Sequence, residues 1–350
     1  MKAYQVTNPG DPLELHEVET PKPSGQEVLL KTISCGVCHS DVHIHEGAFD
    51  LGNGNKMELD AAGIPVPYTL GHEIFGEVID MGADASVEKG MKFVIYPWIG
   101  CGDCEICSTG EEHLCNAAQN IGVQKSGGFG DHVLVPDSKY LYEAGDIEDH
   151  LAGSYACSGL TAYSALKKGA PYYGNNKVVI VGVGGVGMMG LQIAKAAFDC
   201  NPIVVDVDDA KLELALENGA SAAFNSSKED SMMQILEQTE GGALTVIDFV
   251  GSEMSVGFGI NLLAKGGKYV IVGLYGGELR FPLPLIPLME RCIQGSYVGS
   301  PQDMTELMAL VRDNKVDPIP IEKRNASEAH QTLLDLKDGK IIGRVALIHD

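Results

Sequence analysis

Cys101, Cys104, Cys107 and Cys115 follow one another with the spacing C-x2-C-x2-C-x7-C. Four thiolates spaced this way on a tight loop wrap one tetrahedral zinc ion at about 2.3 Å, a closed set that leaves no position for a substrate and is therefore structural. Gly100, Gly102 and Gly110 supply the bends. Disulfides are the other use of such cysteines, but they need an oxidising compartment, and no leader-like stretch precedes Met1-Lys2-Ala3-Tyr4. The five cysteines outside the run, Cys35, Cys38, Cys157, Cys200 and Cys292, are an odd remainder that fits a reducing cytoplasm better than a paired framework.

A second chemistry is written at Val178-Val179-Ile180-Val181-Gly182-Val183-Gly184-Gly185-Val186-Gly187, a buried strand running through GxGxxG into the apolar-periodic helix 188–198. Gly182 permits the tight turn, Gly184 lets a pyrophosphate approach the backbone, and Gly187 lets helix pack on strand, while the helix N-terminus offers amides and the positive end of its dipole. The next strand, Ile203-Val204-Val205-Asp206, ends in a carboxylate 19 residues after Gly187. An acid there accepts both ribose hydroxyls and repels a 2′-phosphate, which favours NAD over NADP. Lys211 opens the following helix and can approach the adenosine end, or it is a plain surface lysine.

A nicotinamide cofactor moves hydride, so another group must polarise the substrate oxygen and handle its proton. The segment Cys35-Gly36-Val37-Cys38-His39-Ser40-Asp41-Val42-His43 and the triplet Gly71-His72-Glu73 are rich in such groups. Cys38, His72 and Cys157 can supply two thiolates and an imidazole, a set that leaves the fourth position of a zinc ion open. Spacing alone does not bring these three together.

The elements that must position these groups fall into two textures. Up to about residue 150, short β-type stretches broken by Gly and Pro (27–34, 73–81, 91–96, 130–135) describe an irregular β domain. Beyond it, strand and helix signals alternate (177–183, 187–198, 202–207, 210–217, 244–250, 268–274), which predicts a parallel sheet. A helix at 304–312 and a strand at 343–348 close the chain. The length of 350 residues suits two domains, with expected bounds 1–151 for a catalytic domain carrying the zinc lobe at about 97–116, 152–296 for a dinucleotide-binding domain, and 297–350 for a segment returning to the first. A net charge of −23, with no local Lys/Arg cluster, disfavours nucleic acid as a partner, and no apolar run is long enough to cross a bilayer.

Taken together, Cys38-His39-Ser40-Asp41 with His43, Gly71-His72-Glu73, the four-cysteine lobe, Cys157 four residues before Thr161, the glycine motif with Asp206, and Gly343-Arg344 resemble the zinc-dependent alcohol dehydrogenases of the medium-chain dehydrogenase/reductase superfamily, over essentially the whole chain. The resemblance implies a chaperonin-10-like, mainly β catalytic domain beside a doubly wound Rossmann sheet. It implies two zinc ions per chain, a catalytic one on Cys38, His72 and Cys157, with Glu73 behind it and exchanging with the ligand water, and a structural one on the lobe. It further implies that Ser40 takes the alcohol proton and passes it through the cofactor ribose to His43, and that Asp41 holds the His72 ring. His39 and Arg344 are expected as pyrophosphate cations, Thr161 as a wall beside the nicotinamide, and Gly185, Val186 and Val272 as further cofactor contacts. The implied reaction is reversible oxidation of a medium-sized aliphatic or aryl alcohol to aldehyde or ketone by NAD, in a cytoplasmic homo-oligomer, a tetramer rather than a dimer.

One departure qualifies that expectation. The stretch between Glu46 and Thr69 is longer than in family members of similar size, and it serves as an inert surface loop, a substrate wall or a subunit contact. Phe49, Tyr68 and Trp98 are candidate pocket linings, and Cys35, Cys200 and Cys292 are assigned to packing. A metal-independent quinone or enoyl reductase on the same scaffold has no use for Cys38, His72 and Cys157. A polyol dehydrogenase is expected to carry an acidic ligand where Cys157 stands, and a non-enzymatic zinc or dinucleotide module would bind NADH without turnover.

Overall fold

The computed structural model describes residues 1–59, 64, 66–170 and 178–349. Lys177, the first residue of one expected strand, and residues 60–63 and 65 of the stretch after Glu46 lie outside the described residues.

The second half contains the expected parallel sheet. Its strands run in the spatial order Ala222–Asn225, Ile203–Asp206, Val178–Val181, Ala243–Asp248, Leu263–Ile271, Cys292–Gly295, and every neighbouring pair is parallel. Strand order reverses between Val178–Val181 and Ala243–Asp248, and in such sheets the crevice at the carboxyl ends of the strands beside that reversal receives the ligand. Both faces are buried: Ile180, Val204, Ile247 and Val270 join the main core, whereas Val179, Val181, Val205 and Val246 build a second one. This explains the continuous rather than alternating apolar runs.

In the first half, the long strands Val28–Gly36 and Glu73–Met81 form the spine of a seven-stranded sheet. Their antiparallel register sets Gly36 opposite Glu73, so the loop leaving one strand at Val37-Cys38 lies beside the loop entering the other at Gly71-His72. The chain end returns to this sheet, with Arg344–Ile348 antiparallel to Val28–Gly36 and Ile321–Asn325 parallel to Arg344–Ile348. The segment Gly153–Ala156 packs so closely on the start of Glu73–Met81 that a Cβ on Gly153 would collide with the Glu73 carbonyl. That contact delivers Cys157 to the same place.

Several elements differ from the sequence expectation. The stretch 48–58 is a hairpin, Ala48–Gly52 against Asn55–Glu58, turning at Asn53 and Gly54 with φ of 54° and 79°. Asn-Gly with both residues at positive φ is the two-residue turn whose twist matches the strands it joins. Ile321–Asn325 was not expected, because its polar Glu-Lys-Arg-Asn run carries no alternation. Cys292 is exposed on the outer strand of the parallel sheet, so its assignment to packing is corrected, while Cys35 and Cys200 are buried as expected.

A Gly153→Ala substitution is expected to destabilise the fold by about 1–3 kcal/mol, the usual cost of overpacking. Urea unfolding midpoints compared with the parent chain measure it, and an unchanged midpoint would contradict the close packing described.

Candidate active site and zinc centres

Cys38 is the residue immediately before the helix His39–Glu46. Its amide donates to Asp41 Oδ2 at 2.9 Å, and the other oxygen of that carboxylate accepts from the Gly71 amide at 3.2 Å and from His72 Nδ1–H at 3.1 Å. Asp41 and His72 are fully buried. One carboxylate thus ties the start of the helix to the His72 loop and fixes the ring tautomer, leaving Nε2 unprotonated at its outer edge.

His72 Nε2 is buried and has no hydrogen-bond partner. The Sγ atoms of Cys38 and Cys157 and a ring nitrogen of His72 lie within 4.8 Å of one another. A buried acceptor without a donor is costly, and two thiolates with an imidazole are a donor set that suits zinc while leaving one position open. The residues therefore fit the metal. The charges agree: the hydrogen bond from Cys157 holds Cys38 well below the usual thiol range, while that same bond and burial push Cys157 well above it. Burial alone would lower His72, but Asp41 and Cys38 hold it well above the usual imidazole range. A divalent cation is what allows both sulfurs to ionise together and the imidazole to stay neutral.

In the lobe, the four sulfurs also lie within 4.8 Å of one another, with Cys101–Cys107 and Cys104–Cys115 at 4.0 and 3.9 Å. These are too long for disulfides and close to the edge of a tetrahedron of zinc–sulfur bonds, about 3.8 Å for bonds of about 2.3 Å. The amides of Cys101 and Ala117 donate to Cys115 Sγ, and that of Cys107 to Cys104 Sγ. The Cys101 amide is the main cause that pulls the Cys115 thiol down to about 7.

Glu73 and Arg344 form a buried pair. Glu73 is not part of the Cys38–His72–Cys157 group; its Oε1 accepts from the Ser158 hydroxyl and amide at 2.7 and 3.2 Å, and its Oε2 is paired with the Arg344 guanidinium. Arg344 is buried against this partner, with its methylenes against Gly185. It therefore links the glycine loop to Glu73. Ser158, which the sequence reading missed, is recognisable only from its place after Cys157.

The dinucleotide crevice is built as its motif suggests. Gly182 has φ 85°, a Cβ on Gly187 would collide with the Gly182 carbonyl, and Gly184 faces open space at the start of the helix Gly185–Phe198. Asp206 accepts from the amides of Val183, Val207 and Asp208, so it also braces the glycine loop. His39 opens the helix His39–Glu46, and the protein packed around its ring, together with the charges of Arg344 and Lys211, pushes its pKa down against the pull of Cys38. Lys211 lies 3.9 Å from Asp208. Thr161 is half-buried in the helix Ser158–Gly169, its amide bonded to the Cys157 carbonyl, and Val272 is buried with its amide bonded to the Asp248 carbonyl. Val186, one residue into the helix after the glycine turn, is half-buried.

Of the aromatic candidates, Trp98 is buried with its ring 5.4 Å from His72, and it stands edge-on to Tyr297, a neighbour the sequence reading missed. Phe49 packs 5.2 Å from His43. Tyr68 is buried, its hydroxyl donating to the Ile44 carbonyl at 2.7 Å. Ser40 and His43 lie one turn apart on the helix His39–Glu46, both half-buried.

The pattern of the alcohol dehydrogenase GroES-like domain matches residues 24–146, and that of the zinc-binding dehydrogenase domain matches residues 185–313. An NAD-dependent alcohol dehydrogenase of Sulfurisphaera tokodaii is 39% identical over 99% of this chain and 100% of its own. The chain belongs to the zinc-dependent alcohol dehydrogenases of the medium-chain dehydrogenase/reductase superfamily. The crystal structure of an alcohol dehydrogenase from the hyperthermophilic archaeon Aeropyrum pernix superposes with a TM-score of 0.90 at 31% identity, covering 99% of this chain and all of that one. An acetophenone reductase from Geotrichum candidum, solved with NAD, superposes with a TM-score of 0.84 at 29% identity, covering 99% and 96%.

Cys38→Ser is expected to lower zinc content by one ion per chain with little change in melting temperature, and Cys104→Ser by one ion with a clear drop in it. Metal analysis beside thermal melting separates the two; loss of neither ion would contradict the ligand sets. Asp41→Asn should weaken zinc binding at the first centre by roughly 10–100-fold, the usual cost of losing a carboxylate behind a ligating histidine, read by competition with a chromogenic chelator.

Proposed function

We propose that this chain is a reversible NAD-dependent alcohol dehydrogenase, with Cys38, His72 and Cys157 as the catalytic zinc ligands and Cys101, Cys104, Cys107 and Cys115 as the structural ones. The observation that carries this reading is the unpartnered His72 Nε2 facing two thiols at the foot of a dinucleotide crevice. The names of the full-length relatives support the same cofactor and reaction. A metal-independent quinone or enoyl reductase would have no use for this buried donor set.

When bound, zinc lowers the pKa of a hydroxyl so that it can lose its proton near neutrality, and NAD accepts hydride. The chain's own residues do the rest. Asp41 keeps His72 in the ligating tautomer, and the paired Glu73 and Arg344 brace the pocket floor against the glycine loop. Ser40 accepts the substrate proton and His43, a turn further along the same helix, releases it toward solvent. Burial holds His43 below the ordinary imidazole value of 6.5, so it stays neutral, and able to accept, into mildly acidic solution. Asp206 selects NAD, with Lys211 lending positive charge to the crevice, His39 offering a ring N–H, and Thr161 and Val272 bordering the nicotinamide end. Trp98 and Tyr297 make an aromatic wall suited to medium-sized alcohols.

The catalytic domain comprises 1–151 and 297–350, with the dinucleotide domain between them. The described cysteines are all unpaired and no described helix is long and apolar enough to cross a membrane, which suits a cytoplasmic enzyme. Exposed Leu283, Leu285 and Leu288 beside the open edge strand Cys292–Gly295 support assembly into a homotetramer.

Purified protein given NAD and a panel of aliphatic and aryl alcohols should form NADH, lose activity on chelation, and regain it with zinc; no turnover across the panel in zinc-replete protein would sink the proposal. In oxidation, kcat should fall only below pH 6.5 on the acid side. His43→Gln should cut kcat by roughly 10–100-fold and flatten that limb, and an unaltered pH profile would remove His43 from the relay.

A further inference from the structure

The hairpin Ala48–Gly52 with Asn55–Glu58 stands out from the catalytic domain, every residue from Asn53 to Glu58 being exposed. Gly52, beside its turn, is nevertheless buried. What covers it belongs to the dinucleotide domain. A Cβ on Gly52 would stand 2.7 Å from the Gly277 carbonyl carbon and 2.8 Å from Glu278 Cγ, and a Cβ on Gly276 would stand 2.8 Å from the Asp50 carbonyl oxygen. Two backbones therefore meet with no room for a side chain between them, a demand additional to the φ of 82° at Gly52. Gly54, two residues on at φ 79°, has nothing within 4 Å of its Cβ position. The turn as such does not require the contact.

Each side of the contact is anchored to its own part of the site. The hairpin leaves the helix His39–Glu46 through Gly47, whose amide bonds to the carbonyls of His43 and Ile44, and its Phe49 ring lies 5.2 Å from that of His43. On the facing side, the amides of Tyr275 and Gly276 bond to the carbonyls of Val250 and Gly251, and Val250 packs where a Cβ on Gly182 would stand. The fully buried Asp248 fixes that turn: its Oδ1 accepts from the Val250 and Gly251 amides at 2.8 and 3.0 Å, and its Oδ2 from the Ser255 and Tyr269 hydroxyls at 2.8 and 2.7 Å. These turns leave the carboxyl ends of Ala243–Asp248 and Leu263–Ile271, on the side of the strand-order reversal where a ligand is received. The hairpin thus reaches from the helix of Ser40 and His43 to the wall of the dinucleotide crevice. Gly52 donates to Asp50 inside the hairpin and Glu278 pairs with Arg280, so among the described residues no hydrogen bond or ion pair joins 48–58 to 273–278. Packing alone holds the two tips, through contacts that are individually weak and can part.

We propose that the hairpin is a clasp: its Asp50–Gly52 tip closes on the Gly276–Glu278 turn, holds the helix of Ser40 and His43 against the crevice, and opens for the dinucleotide to enter or leave, while the bound dinucleotide keeps it shut. Bare backbone on both sides makes the contact all or none, because any side chain at Gly52 or Gly276 would hold the tips apart. Opening of such an element is a common limit on release of a product. The proposal rests on dinucleotide binding alone and goes beyond the alcohol chemistry.

The test follows NADH without any alcohol, by energy transfer from Trp98, the single tryptophan of the chain, so a failure of turnover leaves it untouched. Release is timed by stopped flow after the NADH complex of the zinc-replete protein is mixed with excess NAD. Asparagine is among the side chains that best tolerate positive φ, so Gly52→Asn and Gly54→Asn burden the same hairpin alike, and only the first puts a Cβ into the contact. Gly52→Asn should speed NADH release roughly 3–10-fold, since lost contacts show mainly in the off-rate, and Gly54→Asn should release at the parent rate. Retained zinc and an unchanged melting temperature confirm that each variant is folded. A parent-like rate in Gly52→Asn, or equal acceleration in both variants, overturns the clasp. A second measurement needs no variant: saturating NADH should slow amide hydrogen exchange across 48–58 in the parent, because a ligand that favours the closed arrangement shifts the population toward it. Exchange there that NADH leaves unchanged overturns the clasp as well.

Discussion

The Asp41 carboxylate is the interaction on which the active centre depends. It is fully buried and accepts from the Cys38 amide, the Gly71 amide and His72 Nδ1–H, three donors from two segments 30 residues apart. In a low-dielectric interior an unpaired carboxylate would be untenable, so these bonds are obligatory, and each one fixes a ligand-bearing backbone. The helix cannot shift without moving Cys38, and the loop cannot shift without turning His72.

A second constraint is the distribution of positive charge in a chain of net charge −23. Arg344 serves two neighbours at once, since its guanidinium neutralises Glu73 and its stem packs against Gly185 at the start of the cofactor helix. A buried pair of this kind contributes specificity of arrangement more than stability. Here it sets the catalytic sheet, through Arg344–Ile348, against the glycine loop of the other domain. Ser158 completes the cage around Glu73, so the residue following a metal ligand also stabilises the acid behind the metal.

The legible parts of the fold were those whose physics is local. The apolar strand Val178–Val181 runs into a turn that only glycine can make, and it was readable because each residue answers a nearby steric demand. The hairpin at 48–58 carried a readable Asn-Gly signal, but its polar strands, Asn-Lys-Met-Glu on one side, hid it. Ile321–Asn325 was hidden for the same reason, as an outer strand whose pairing comes from the chain end alone. Cys292 was misplaced because a thiol side chain suits a core or a surface equally, and only the neighbours decide.

By itself the sequence determined that a four-thiolate metal lobe and a dinucleotide-binding turn exist, because both sets of groups lie within a few residues and the backbone between them has little freedom. It also supplied two further cysteines and a histidine of suitable chemistry. Only the tertiary structure decided that Cys38, His72 and Cys157 meet, through the register that sets Gly36 against Glu73 and the close approach of Gly153. It likewise decided that Arg344 pairs with Glu73. Strand register and long-range packing are sums over many weak contacts, and no short stretch of sequence contains them.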